Sequence, residues 1–316
     1  MRSRGSWRDG SGCSLESPIF LPRATGGVDM VRNAMSVDVE DWFQVQAFAD
    51  VIRREDWDGL DSRVVPNTEN VLGLLSEYNV KATFFVLGWV ADRYPQLVRS
   101  IGGAGHEVAS HGYGHELVSH IGPERFQQDI RRAKQRLEDC SGQRVVGYRA
   151  PTFSIGEAES SWAYSILGEE GYLYSSSIFP ISHDLYGSPQ APRRPHRPKE
   201  EAVLEIPMTT VKLGQRNWPC SGGGWFRILP YAPFRAGIRH VNGAEGEPAI
   251  FYFHPWEIDP GQPRVRQASR FSQFRHYTGL DRMRNRLRRL LKEFDWGRMD
   301  EVFARDIRGH AEADIR

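Results

Sequence analysis

From residue 34 onward, short apolar runs alternate with amphipathic stretches. Met35 to Val39 reads as a buried strand running into the acidic cluster Asp38-Val39-Glu40-Asp41. Thr68 is placed to cap a helix carrying Val71, Leu72, Leu74 and Leu75, and Val80 to Val86 is β-branched and aromatic, as a second strand would be. A helix over Pro95 to Ile101 stops at Gly102-Gly103, and a short strand, His106 to Ala109, follows. Pro123 opens an amphipathic helix with Phe126, Ile130, Ala133 and Leu137 on one face. Arg144 to Tyr148 and Tyr172 to Ser176 read as strands with a helix over Ser160 to Leu167 between them. The five prolines of residues 180–198, both ends included, predict a long surface loop. Val203 to Ile206 and Ala249 to His254 resume the strands. Leu280, Met283, Leu287, Leu290, Leu291 and Phe294 line one face of a basic helix. Strands alternating with helices predict an α/β fold, a parallel sheet or barrel with helices outside.

Composition narrows the function classes. The 316 residues carry 41 basic and 40 acidic side chains, and a net charge of +1 argues against an electrostatic grip on nucleic acid. Three scattered cysteines (Cys13, Cys140, Cys220) supply neither a disulfide framework nor a thiolate metal site. The most apolar stretch, Ala82 to Ala91, is too short to cross a bilayer, and residues 1–30 lack the apolar core of a secretory signal. The expectation is a cytoplasmic protein with no transmembrane segment and a disordered Arg-, Ser- and Gly-rich extension over residues 1–33.

Four strand ends carry ionisable groups. His111-Gly-Tyr-Gly-His115 follows one strand, and its spacing brings two imidazoles together across a helical turn or on a tight loop. Asp38, Glu40 and Asp41 end another, Arg149-Ala-Pro151-Thr152-Phe153 a third, and Phe253-His254-Pro-Trp256 a fourth. Strand C-termini gather on one side of a parallel α/β fold, and two histidines with one carboxylate are a catalytic zinc set. Taken alone, the histidine pair is equally well read as loop polar groups, and the acids as a helix cap.

The ordered set Ser-Val-Asp38-Val-Glu40-Asp41, His111-xxx-His115, Arg149-Ala-Pro151 and Phe253-His254 resembles the motifs of NodB-homology polysaccharide deacetylases, carbohydrate esterase family four. The phrases ending at Trp42, Ser221-Gly-Gly-Gly-Trp-Phe-Arg227 and Phe-His-Pro-Trp-Glu257 look most like the deacetylases of exosortase (PEP-CTERM) exopolysaccharide loci. The resemblance implies a distorted (β/α) barrel over residues 34–260 with a helical C-terminal extension, 261–316. It also implies zinc-dependent removal of N-acetyl groups from hexosamines of a polysaccharide or oligosaccharide. His111 and His115 would hold the metal, Asp38 would be the general base, Arg149 its orienting partner and His254 the general acid. The Thr152 N–H would face the oxyanion, and Trp256 would meet the sugar.

Two departures stand out. Val39 occupies the place of the family's carboxylate ligand, so Glu40, on the same strand face as Asp38, is the first choice for that ligand and Asp41 the alternative. No acid lies between Tyr174 and Pro180 to tune His254. The ligand set would also accept cobalt or nickel. Trp42, Trp89, Phe153 and Trp225 read as core aromatics, with stacking on sugar faces as the alternative, and His183 and Asp184 as solvated loop residues, with a place on the cleft wall as the alternative. Ser221 to Arg227 reads as a substrate loop or a plain turn. Rival readings are an amidohydrolase of a small cyclic amide or ureide, and a catalytically silent glycan-binding module.

Overall fold

The seven residues Asn33–Val39 are all buried and form β1, the strand about which the rest is arranged. The computed structural model describes residues 31–156, 162–184, 186–198 and 201–309. Strands β2 (Thr83–Val86), β3 (Glu107–Ser110), β4 (Gly147–Tyr148), β5 (Tyr174–Ser175) and β6 (Leu204–Glu205) follow, each parallel to its predecessor. An antiparallel hairpin, β7 (Thr210–Leu213) and β8 (Arg216–Pro219), stands apart from them. β9 (Ile250–Phe253) and β10 (Trp296–Gly297) both return to β1, parallel to it. Ala34 pairs with Ile250 and with Gly297, so these two strands flank β1 on opposite sides. The sheet curls into a half-barrel with helices outside.

Helices α1 (Val64–Glu77), α2 (Gly88–Arg93), α3 (Pro95–Gly103), α4 (Val118–Ile121), α5 (Pro123–Ser141) and α6 (Ala163–Glu169) join the first five strands. α7 (Gly223–Ile228) and α8 (Tyr231–Gly243) precede β9. After it come α9 (Arg270–Tyr277) and α10 (Leu280–Glu293), then α11 (Met299–Val302) and α12 (Ala304–Arg308) beyond β10. α5 buries Phe126, Ile130, Ala133 and Leu137, the face its periodicity predicts, and ends at Gly142 with φ 68°. α10 buries Leu280, Met283, Leu287, Leu290 and Leu291, each large apolar side chain contributing about 1.5–3 kcal/mol.

Some expectations need correction. α1 starts at Val64, and Thr68 is buried inside it. The acceptor at its N-terminus comes from afar: Asp41 Oδ2 accepts from Ser62 Oγ (2.7 Å) and from the Arg63 and Val64 amides (2.9 and 3.1 Å). Of the extension expected over 1–33, residues 1–30 lie outside the described part, and Asn33 already belongs to β1. The stretch after 260 is mostly helical but also gives the sheet β10. The proline-rich loop is tied down through backbone hydrogen bonds between His196 and Glu205 and by buried Ile181 and Ala191. Cys140 and Cys220 are buried free thiols, and Cys13 lies outside the described residues. Among the described residues no helix is long and apolar enough to cross a membrane.

At the opposite end of the strands from the charged cluster, buried Glu107 accepts from Thr83 Oγ1 (2.5 Å) and Tyr174 Oη (2.8 Å). Burial, reinforced by Asp300, pushes its pKa from 4.5 up to about 8. The folded protein therefore keeps a proton that the unfolded chain releases near 4.5. This group's contribution is complete below that pH and is lost as the pH rises to about 8. Thermal unfolding should show Tm falling across that window, and Glu107→Gln should flatten the fall. A variant curve parallel to the parent's would refute the assignment.

Candidate active site

Four strands deliver charged groups to one rim. β1 ends at Asp38-Val39 with Glu40 just beyond, β3 is followed at once by His111, β4 by Arg149 and β9 by His254. The segment from His111 to His115 is a loop, which decides between the two geometries its spacing allows. Asp129 of α5 shapes it by accepting from the Tyr113 and Gly114 amides at 2.8 and 3.3 Å. Gly112 has φ +72°, and a Cβ there would stand 2.8 Å from Asp129 Oδ2, so glycine is required. His115 itself is left-handed, φ 54°, a strained backbone of the kind found at functional sites.

The two imidazole centroids are 5.5 Å apart. His111 Nδ1 lies 2.8 Å from the Arg149 carbonyl, which accepts only; Nδ1 therefore carries the proton and Nε2 is left to coordinate. Glu40, His111 and His115 each offer a ligand atom, all within 4.8 Å of one another, a group that could hold a metal ion. Glu40 Oε2 lies 2.8 Å from His115 Nε2, yet it is buried and accepts no hydrogen bond of ordinary geometry. Two donors that crowd without bonding fit a cation between them. Burial alone would raise the Glu40 pKa, but His115 and His254 outweigh it and bring it to about 2; burial pushes His111 down to about 4. Both groups thus expose lone pairs at neutral pH. Asp41, the alternative ligand, is outside this group, its carboxylate spent on the start of α1.

Asp38 is clamped by fully buried Arg149, whose Nη1 donates to Asp38 Oδ1 at 2.6 Å and to Ser36 Oγ at 2.9 Å. Arg149 Nε and Nη2 donate to Ser176 O and Oγ, both at 3.1 Å. Across the pocket, His254 Nε2 lies 3.2 Å from Glu40 Oε1 and 4.0 Å from Asp38 Oδ2. Thr152 lines the same pocket, of about 160 Å³, in a turn where it and Phe153 have φ 54° and 50°.

The acid partner of His254 is Glu257, whose Oε1 lies 2.8 Å from His254 Nδ1. Arg227 Nε donates to Glu257 Oε2 at 2.6 Å, and both members of this pair are buried. Burial lowers the His254 pKa, but Glu40, Glu257 and Asp38 reverse this and raise it to about 9. Glu257 falls to about 2 because Arg227 and His254 overcome its burial. Both residues stand in the sequence phrases already quoted. The available signal was the three-residue spacing from His254 to Glu257, which one helical turn, Pro255–Ile258, makes adjacent. Trp256 lines the pocket but is only 5% exposed, and it stacks with His254 (5.1 Å) and His276 (4.2 Å), so it also supports the histidine. His183 and Asp184, read as solvated, line a neighbouring cavity.

A parallel half-barrel with a Glu-His-His group and an Arg-clamped aspartate at its strand ends defines an α/β barrel protein with a candidate divalent-metal site. Residues 58–163 match the family model of polysaccharide deacetylases, and residues 176–304 match that of a domain of unknown function (DUF3473). Over 157 residues, half of this chain and 66% of the relative, the sequence is 31% identical to a peptidoglycan-N-acetylglucosamine deacetylase of Bacillus cereus. Over 85 residues, 27% of this chain and 40% of the relative, it is 38% identical to a chitooligosaccharide deacetylase of Sinorhizobium fredii. The crystal structure described as a polysaccharide deacetylase from Mycobacterium smegmatis superposes with TM-score 0.56 at 23% identity, covering 91% of this chain and 94% of that one, and it shows the fold. The similarity to polysaccharide deacetylases thus lies in residues 58–163 and in the matched parts of these relatives. The chain spans 38%, 30% and 66% of the lengths of the first three relatives it matches.

Proposed function

We propose that this protein is a metal-dependent N-deacetylase of a hexosamine-containing polysaccharide. The observation that carries the reading is the pair of fixed proton-transfer groups, Asp38 on Arg149 and His254 on Glu257, facing each other over the Glu40, His111 and His115 group. A divalent cation on those three residues, zinc being the expected ion, would polarise the acetyl carbonyl and bring the pKa of a water towards about 7. Asp38 takes the proton of the attacking water, and Arg149 holds its carboxylate in place through Nη1. The Thr152 N–H, held at the rim by its left-handed turn, donates to the oxygen on which charge develops. His254 gives its proton to the departing amine as the C–N bond breaks, leaving acetate and an amino sugar. Glu257 holds the imidazole in place through Nδ1. The polysaccharide deacetylase match ends before His254 and the second match contains it, so residues 176–304 supply the acid side of the site. The sequence phrases around Trp42 and Trp225 support an exopolysaccharide as the polymer.

Acetate release from a chito-oligosaccharide tests this with metal-stripped, zinc-restored and His111→Ala protein. Activity should vanish on stripping, return with zinc, and stay at least 100-fold down in the variant. Absence of both acetate and bound metal would overturn the reading. Bound metal with turnover only of cyclic ureides would favour the amidohydrolase instead.

A further inference from the structure

Resting on that reading, a second feature concerns how the polymer is held. Tyr186, Gly224, Tyr252 and Arg275 line both the catalytic pocket and an adjoining cavity of about 430 Å³. On one wall the His183 ring stacks on Tyr186 at 4.0 Å and meets Trp225 edge-on at 6.0 Å. The other wall is α9, where Phe271 and Phe274 are 61% and 55% exposed. Water-facing aromatic rings at a cleft mouth are a mark of a surface that takes a ligand. Arg275 bridges the walls, donating to Asp184 Oδ1 and Oδ2 at 2.9 and 2.8 Å and contacting His183.

Aromatic faces beside charged and hydrogen-bonding groups suit a pyranose, whose C–H face stacks on rings while its hydroxyls reach polar edges. A lipid tail would offer no hydrogen bond to the Arg275–Asp184 pair at the edge of the cavity. We propose that this cavity is a second sugar subsite, holding the neighbouring residue of the glycan chain whose N-acetyl group lies between Asp38 and His254. The cavity opens from the catalytic pocket through four shared residues, so a linear chain can occupy both at once. All of its walls fall within residues 176–304, which gives that segment a role in selecting chain length.

The test is a Phe271→Ala/Phe274→Ala double variant, at exposed positions, with folding checked by Tm. The ratio of kcat/KM for the hexamer of N-acetylglucosamine to that for the free monosaccharide should fall at least 10-fold, mainly through KM. Calorimetry of metal-stripped protein should show chito-hexaose binding weakened by a similar factor. An unchanged ratio with acetate still released overturns the subsite alone. If wild-type protein releases no acetate from any oligomer, the deacetylase reading fails, and calorimetry still decides the subsite: binding lost in the variant supports it, and no binding by either protein overturns it. A ratio unmoved while the variant shifts from dimer to monomer assigns the patch to a second copy of the chain.

Discussion

Asp38→Asn should lower the rate of acetate release by about 10³–10⁴-fold, the upper range for loss of a general base, while zinc binding is retained. The amide keeps the shape of the side chain and one acceptor for Arg149, so the fold should hold. Arg149→Met should act differently. It leaves the Asp38 carboxylate buried without its partner, removes the donors to Ser36 and Ser176, and should destabilise the fold by about 3–5 kcal/mol in denaturant unfolding. Stability data separate the two residues: a stable Asp38→Asn enzyme with near-parental kcat would remove Asp38 from the chemistry.

Glu257→Gln should lower kcat by about 10²-fold or more and draw the alkaline limb of the pH–rate profile to lower pH. The sign follows from the surroundings of His254. An acid catalyst works below its pKa, and its negative neighbours, Glu40, Glu257 and Asp38, lift this one to about 9. A cation on Glu40 would cancel much of that residue's share, leaving Glu257 as the main support. Glu257→Asp should restore part of the rate, and zinc affinity should stay within a few-fold of the parent in both variants. The alkaline limb staying in place in Glu257→Gln would show that His254 draws its proton affinity from elsewhere. Glu257 also stabilises the fold above its ordinary pKa of 4.5, and this contribution disappears as the pH falls towards about 2. Arg227 keeps carbonyl partners at Arg275, His276 and Thr278, so the Gln variant should remain folded at neutral pH.

The sequence pattern exposes what is local and repetitive. The α5 and α10 stripes, the apolar β1 and β9, and the charged residues at their ends are legible because periodicity and strand direction put them there. Strand alternation puts Asp38 and Glu40 on one face in the sequence, but β1 ends at Val39 and the Glu40 amide turns back to the Asp38 carbonyl, so it is this turn that sets Glu40 beside His111 and His115. What escaped is tertiary. The α1 terminus is satisfied by a carboxylate more than twenty positions upstream, which no local capping signal marks. The acid partner of His254 lies at Glu257, outside the segment Tyr174 to Pro180, where Ser176 instead serves Arg149. β4, β5, β6 and β10 are two residues each, too short for periodicity to define their ends.

The pairing of β1 with β9 and β10 bears on how the chain comes to be folded. β1, the first strand among the described residues, is flanked on one side by residues 250–253, which leave the ribosome about 210 residues later. At the usual 5–20 residues per second this is a delay of roughly 10–40 s, during which β1 has an apolar, unpaired edge. Closing so long a loop also makes the last pairing slow on refolding in vitro. Such an edge promotes association between incompletely folded chains, and refolding yield should fall with protein concentration more steeply than native stability would suggest.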